Sequence, residues 1–167
     1  DYPSHAEGMT FPNPDKVYYS EDIFVGYRGF EKRGIKPLFA FGHGLSYTEF
    51  EYSDIRLSKE CIKDGEMLQA SVTITNQGKR AGKEVVQLYI ADKESSVARP
   101  AKELKGFEKV ALEPSESKVV TFDITPEALS FYDDRGEGEW RTESGEFEVL
   151  IGSASDDIRL SKRFTLE

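Results

Sequence analysis

Between Leu68 and Thr75 apolar and polar residues alternate without a fault: Leu68, Ala70, Val72 and Ile74 on one side, Gln69, Ser71, Thr73 and Thr75 on the other. Successive side chains of an extended chain point to opposite faces. This run therefore predicts a strand with one face in a core and the other toward water. Asn76-Gln77-Gly78 closes it with turn residues. The same period returns in Val86, Leu88 and Ile90, with Val85, Gln87 and Tyr89 on the opposite face. It recurs in Val120, Phe122 and Ile124, in Phe147, Val149 and Ile151, and in Ile158, Leu160, Phe164 and Leu166. Phe50, Tyr52, Ile55 and Leu57 slip phase once, as a β-bulge would make them do. A weaker run holds Leu104, Phe107 and Val110, and helix is expected only as a turn near Pro126–Leu129.

About seven strands spaced by turns predict an all-β fold, a fibronectin type III/immunoglobulin-like β-sandwich of antiparallel strands over residues 49–167. The immunoglobulin mark, a cysteine pair flanking a tryptophan, is missing: Cys61 is the single cysteine and Trp140 the single tryptophan. The fibronectin type III form is the better expectation. The first fifty residues read differently. Pro3, Pro12 and Pro14 stand in residues 1–22 without a period, which predicts an extended loop. Ile23-Phe24-Val25-Gly26-Tyr27 has strand character, and its glycine suggests a close backbone approach. After the turn signal Glu31-Lys32-Arg33-Gly34 comes an aromatic stretch, PLFAFGHGLSYTEF over residues 37–50. A piece this aromatic with so little regular structure must pack on something.

Charge and cysteine usage narrow the function. The formal net charge is −9, from 31 acidic and 22 basic residues, so phosphate backbones and anionic lipids gain no electrostatic help. Nucleic-acid and membrane partners are not expected. No apolar run approaches the ~20 residues of a membrane span, and no basic-then-apolar signal opens the chain. A single cysteine builds no disulfide framework, which slightly favours the cytoplasm over the periplasm or a secreted location without deciding it. The opening Asp1-Tyr2-Pro3 reads as a cut within a longer polypeptide.

The loop Gly42-His43-Gly44-Leu45-Ser46 raises the question of catalysis. A nucleophile elbow needs glycines on both sides of the serine, and Ser46 has Gly44 before it but Thr48 after it. Adjacent residues rarely face each other as a Ser–His pair must, so a buried or capping His43 is the expectation. Gly42-x-Gly44 lacks the third glycine of a dinucleotide loop. Two histidines and one cysteine without close spacing predict no zinc site. Asp133-Asp134-Arg135-Gly136-Glu137 and Asp156-Asp157 lack calcium-loop spacing and read as solvated turn charges. No catalytic residue, cofactor or metal ligand is assigned. Tyr89, Tyr132 and Trp140 are read as packing between the sheets or on a neighbour; the alternative is that they are exposed and stack on carbohydrate.

Longer stretches carry a resemblance. Gly26-Tyr27-Arg28 through Pro37-Leu38-Phe39-Ala40-Phe41-Gly42-His43-Gly44-Leu45-Ser46-Tyr47-Thr48 resembles the signature joining two domains in glycoside hydrolase family 3, the β-glucosidase family. That pattern usually has Pro at Ala40 and an aromatic pair at Gly29-Phe30. Asn76-x-Gly78, Gly82-Lys83-Glu84-Val85-Val86-Gln87-Leu88-Tyr89 and Arg99-Pro100-x-Lys102-Glu103-Leu104-Lys105-Gly106-Phe107 are similar to the family's C-terminal fibronectin type III-like domain. So are Leu129-Ser130-Phe131-Tyr132-Asp133 and Gly145-Glu146-Phe147-Glu148-Val149-Leu150-Ile151-Gly152. The resemblance implies that residues 1–48 are the tail of an α/β sandwich domain plus a linker, and that 49–167 are an accessory sandwich. Phe39, Phe41, Gly42, His43, Gly44 and Tyr47 are then structural linker residues. The implied parent hydrolyses terminal β-D-glucosyl or related residues with retention, and its catalytic domains are the implied partners. No motif around either catalytic carboxylate occurs here.

Overall fold

The computed structural model describes residues 21–167. The reading of residues 1–22 as a loop therefore lies, up to residue 20, outside the described residues. Ten strands and two short helices follow in order. They are α1 (Tyr27–Lys32), β1 (Phe50–Leu57), β2 (Cys61–Ile62), β3 (Leu68–Asn76), β4 (Gly82–Asp92) and β5 (Glu103–Leu112). Then come β6 (Ser117–Ile124), α2 (Pro126–Leu129), β7 (Phe131–Asp133), β8 (Glu139–Arg141), β9 (Gly145–Ala154) and β10 (Asp157–Leu166). Seven of these strands are eight residues or longer, and they are the ones the alternation predicts.

One sheet has the order β1-β3-β6 and the other β2-β10-β9-β4-β5. All pairings within them are antiparallel except β10 with β2. The chain crosses between the sheets from β1 to β2, from β2 to β3, from β3 to β4, from β5 to β6 and from β6 to β9. The result is a fibronectin type III-like β-sandwich. Ala70, Val72, Ile74, Val120 and Phe122 of the first sheet meet Val86, Leu88, Ile90, Val149 and Ile151 of the second in one apolar core. A fully buried aliphatic side chain of this kind contributes roughly 2 kcal/mol. The phase slip in β1 is a register shift between Ser53 and Arg56, with Asp54 at φ 54°.

The segment before β1 departs from its sequence reading. Ile23–Tyr27 is not a strand: a turn passes into α1, and Gly26 stands at φ 56° in open space rather than in a close approach. Glu31 and Lys102 pair across the seam between α1 and β5, as do Arg28 and Glu103 at 3.2 Å. These long-range partners lie outside the window in which a local apolar run is judged.

One buried amide ties the layers together. Asn76, with no exposed surface, donates from its side-chain nitrogen to the carbonyls of Arg80 (2.7 Å) and Leu112 (3.1 Å). Its side-chain oxygen accepts from the Thr48 hydroxyl (2.5 Å) and the Gly78 N–H (3.0 Å). Truncating the side chain leaves all four partners short of a bond. Asn76→Ala is expected to cost about 3 kcal/mol, whereas Gln77→Ala on the exposed side of the same turn costs less than about 0.5 kcal/mol. Urea denaturation of the two variants checks this.

Candidate functional site

Strand β4 shows where the segment before the sandwich sits. Val86, Leu88 and Ile90 face the core, yet Gln87, Tyr89 and Ala91 on the other face are buried as well. A strand covered on both faces reads as a continuous run, and VVQLYIA does so. The cover is α1 and the aromatic stretch after it. The Tyr27 ring stands edge-on to Tyr89, centroids 5.9 Å apart, and tilts against Phe41 at 5.6 Å. The Leu104 N–H donates to the Tyr27 hydroxyl at 2.8 Å. Tyr89 is thus packed and not a sugar-stacking surface, and burial pushes its hydroxyl pKa up.

Farther along, the Phe41 carbonyl accepts from the Ser155 N–H at 2.8 Å. Gly42 follows at φ +89°, where an added Cβ would lie 2.1 Å from the Gln87 side-chain nitrogen. Only glycine meets both the left-handed backbone and the close approach at this point. Gly44 has neither requirement, since its surroundings are open.

Ala40 and Phe50 of the stretch are buried, but most of its other residues point outward. His43 is exposed, not buried, and its ring lies against Phe39 with centroids 5.2 Å apart. The Ser46 hydroxyl accepts from the Thr48 N–H at 3.4 Å, and no hydrogen bond joins it to His43 among the described residues. Leu38 is 90% exposed, Leu45 95% and Tyr47 92%, while Phe39 and Phe41 are more than half exposed. Two shallow grooves flank this strip. The smaller, about 260 Å³, is lined by Tyr27, Phe30, Ile35, Pro37, Phe39 and Phe41. The larger, about 790 Å³, runs between residues 42–50 and a polar wall that includes Lys83, Glu84, Lys109 and Arg159. Burial raises the Glu84 carboxyl pKa.

The clamp that holds α1 on the sandwich is ionic, and the sequence reading missed it. Arg99, only 7% exposed along its side chain, donates to Asp92 (3.1 Å), Glu103 (2.6 Å) and the Leu129 carbonyl (3.1 Å). Its guanidinium also lies 5.6 Å from the Phe131 ring centroid. Glu103 further meets Arg28 and Lys105. One Glu31 carboxylate oxygen holds Lys102; the other is buried with no partner among the described residues. The burial of both β4 faces was the available signal, because it requires a cover. The charged partners lie outside its reach.

A second surface lies on the β7–β8 hairpin. Tyr132 and Trp140 are directly opposite in register, 56% and 71% exposed, with ring centroids 5.6 Å apart and planes at 70°. Asp133 is not a solvated turn charge. Buried, it binds Arg135 at 2.8 Å and Arg141 at 3.1 Å, and the Arg135 guanidinium holds its carboxyl well below the usual range.

A fibronectin type III-like domain family matches residues 84–155. The chain is 53% identical over 155 residues to thermostable β-glucosidase B of Acetivibrio thermocellus, which covers 92% of this chain and 20% of that protein. Among solved structures, β-glucosidase 3B from Thermotoga neapolitana in complex with α-D-glucose superposes with a TM-score of 0.85 at 43% identity. That match covers 98% of this chain and 22% of the other. The GH3 β-glucosidase of Bifidobacterium adolescentis gives 0.82 at 35% identity, over 89% of this chain and 21% of the other. The chain spans about a fifth of the length of the relatives it matches.

Burial works to raise the Glu103 pKa, but Arg99, Lys105 and Arg28 outweigh it, and the carboxyl titrates below its ordinary value. A lowered carboxylate stabilises the fold above its unfolded pKa, and that contribution is lost as pH falls through the folded value. Glu103→Gln is therefore expected to cost about 3 kcal/mol at pH 7. Its deficit relative to the wild type should shrink as the pH drops below 4.5, the carboxyl's ordinary value. Thermal melts between neutral pH and pH 3 measure the convergence.

Proposed function

We propose, for a chain that belongs with the fibronectin type III-like domains of the family 3 β-glucosidases, a non-catalytic role: bracing the catalytic domains of its parent polypeptide. On this reading residues 49–167 are the accessory sandwich domain. Residues 1–48 are the tail of a preceding α/β sandwich domain and the linker to it. Phe39, Phe41, Gly42, His43, Gly44 and Tyr47 are structural linker residues that dock on the parent's other domains. The parent hydrolyses terminal β-D-glucosyl or related residues with retention, and this chain contributes no catalytic carboxylate.

The observation that carries the reading is the strip from Leu38 to Tyr47. Its backbone is fixed on the sandwich through Gly42 and the Phe41 carbonyl, yet Leu38, Leu45 and Tyr47 stand nine-tenths exposed. A run of large apolar side chains held rigidly in water suits an interface. A pre-ordered strip also loses less conformational entropy on docking than a flexible tether.

Leu45→Ala and Tyr47→Ala are expected to leave the stability of this chain within about 0.5 kcal/mol, since both side chains are exposed. In the full-length parent the same changes, and Phe41→Ala, should each cost about 1–3 kcal/mol. The purified chain should show no hydrolysis of an aryl β-glucoside. Turnover by the chain alone, or equal melting shifts in both contexts, contradicts the reading.

A further inference from the structure

We propose that the Tyr132–Trp140 corner of the β7–β8 hairpin is a shallow platform for a neutral β-linked oligosaccharide. The site stands apart from the docking strip and does not depend on the bracing role.

The geometry selects the ligand. Residues directly opposite on antiparallel strands share a face, so Tyr132 and Trp140 form one face of the ribbon. Phe131 and Arg141, and Asp133 and Glu139, are the pairs on the other face. The strand charges on that far face bind one another: Asp133 holds Arg135 and Arg141, and Glu139 holds Arg141 at 2.8 Å. The aromatic face therefore carries no ionised strand side chain, which suits an uncharged ligand. Its two rings meet at 70°, one forming a floor and the other a wall. A β-glucopyranosyl ring, with its hydroxyls around the rim and C–H groups on its faces, fits such a corner.

The corner is small, its extent set by two side chains exposed by 56% and 71%. The corner is also built in place. Gly138, at φ +79°, leaves room for the Tyr132 hydroxyl, which an added Cβ would meet at 2.2 Å. Phe131 at the hairpin base is buried under the Arg99 guanidinium.

Because Trp140 is the sole tryptophan, its fluorescence reports on the site directly. Cellohexaose and laminarihexaose should shift its emission saturably, and the chain should be retarded in gels containing soluble β-glucan. Trp140→Ala should abolish retardation while the melting curve is kept, and Trp140→Phe should restore part of it. Tyr132→Ala, read by calorimetric titration with the same sugars, should weaken binding about tenfold. It also serves as the test if Trp140→Ala fails to fold. The proposal is overturned if the wild type shows neither shift nor retardation, or is retarded only by the acidic polysaccharide alginate. Unchanged sugar binding in a folded Trp140→Ala or Tyr132→Ala variant overturns it equally.

Discussion

The side chain of Asn76 is the constraint on which the arrangement depends. It ends β3, holds the end of β5 through the Leu112 carbonyl, and takes the Thr48 hydroxyl two residues before β1 begins. One buried amide thus sets where the aromatic stretch enters the sandwich relative to both sheets. A buried amide with all four bonds made rigidifies its surroundings, because each partner left alone would be costly. Beyond Thr48 the chain is anchored again at Gly42 against Gln87 and at Phe41 against Ser155. The stretch is consequently part of the folded body rather than a tether beside it.

That rigidity explains how β4 is covered on both faces and why the cover needs charges. The outer face of β4 is closed by Tyr27 and its helix, only six residues long. Such a helix is unstable alone and forms where tertiary contacts hold it. Those contacts are Tyr27 on Tyr89, Arg28 on Glu103 and Glu31 on Lys102. Glu103 is in turn held by the nearly buried Arg99, which also reaches β4 at Asp92 and the base of the β7–β8 hairpin at Phe131. The helix that closes β4 and the aromatic hairpin therefore rest on one ionic centre.

What was legible in the sequence follows from range. The seven long strands were readable because a period of two is written in neighbouring residues, as in Leu68 to Ile74. The slip in β1 was readable as well, since a bulge displaces that period. The strands β2, β7 and β8 span two or three residues, too short for a period to appear. Ile23–Tyr27 was misread as a strand because it is locally apolar, and helix α1 after it went unread because its partners lie some seventy residues away. The Asp133 carboxylate was misread for a different reason: Arg135 is only two residues away, but the three-residue strand that buries Asp133 is too short to show a period, and only the hairpin brings Arg141 to it. At the aromatic stretch, residue types announced an interface without saying which side chains turn inward. Gly42 and Phe41 meet the sandwich, whereas Leu45 and Tyr47 turn away.

The glycine- and histidine-bearing loop thus resembles an active site in composition and differs from one in geometry. His43 rests on Phe39, and Ser46 on the backbone of Thr48. Its proposed part is to present apolar side chains from a fixed frame to the rest of a β-glucosidase-type polypeptide. Amide hydrogen exchange over residues 38–47, measured in this chain and again in the full-length parent, tests that claim most directly. The account predicts that the amides of residues 38–47 without an acceptor in this chain exchange rapidly in the chain and are strongly protected in the parent, with residues 68–76 protected in both. Equal exchange of residues 38–47 in the two contexts would contradict it.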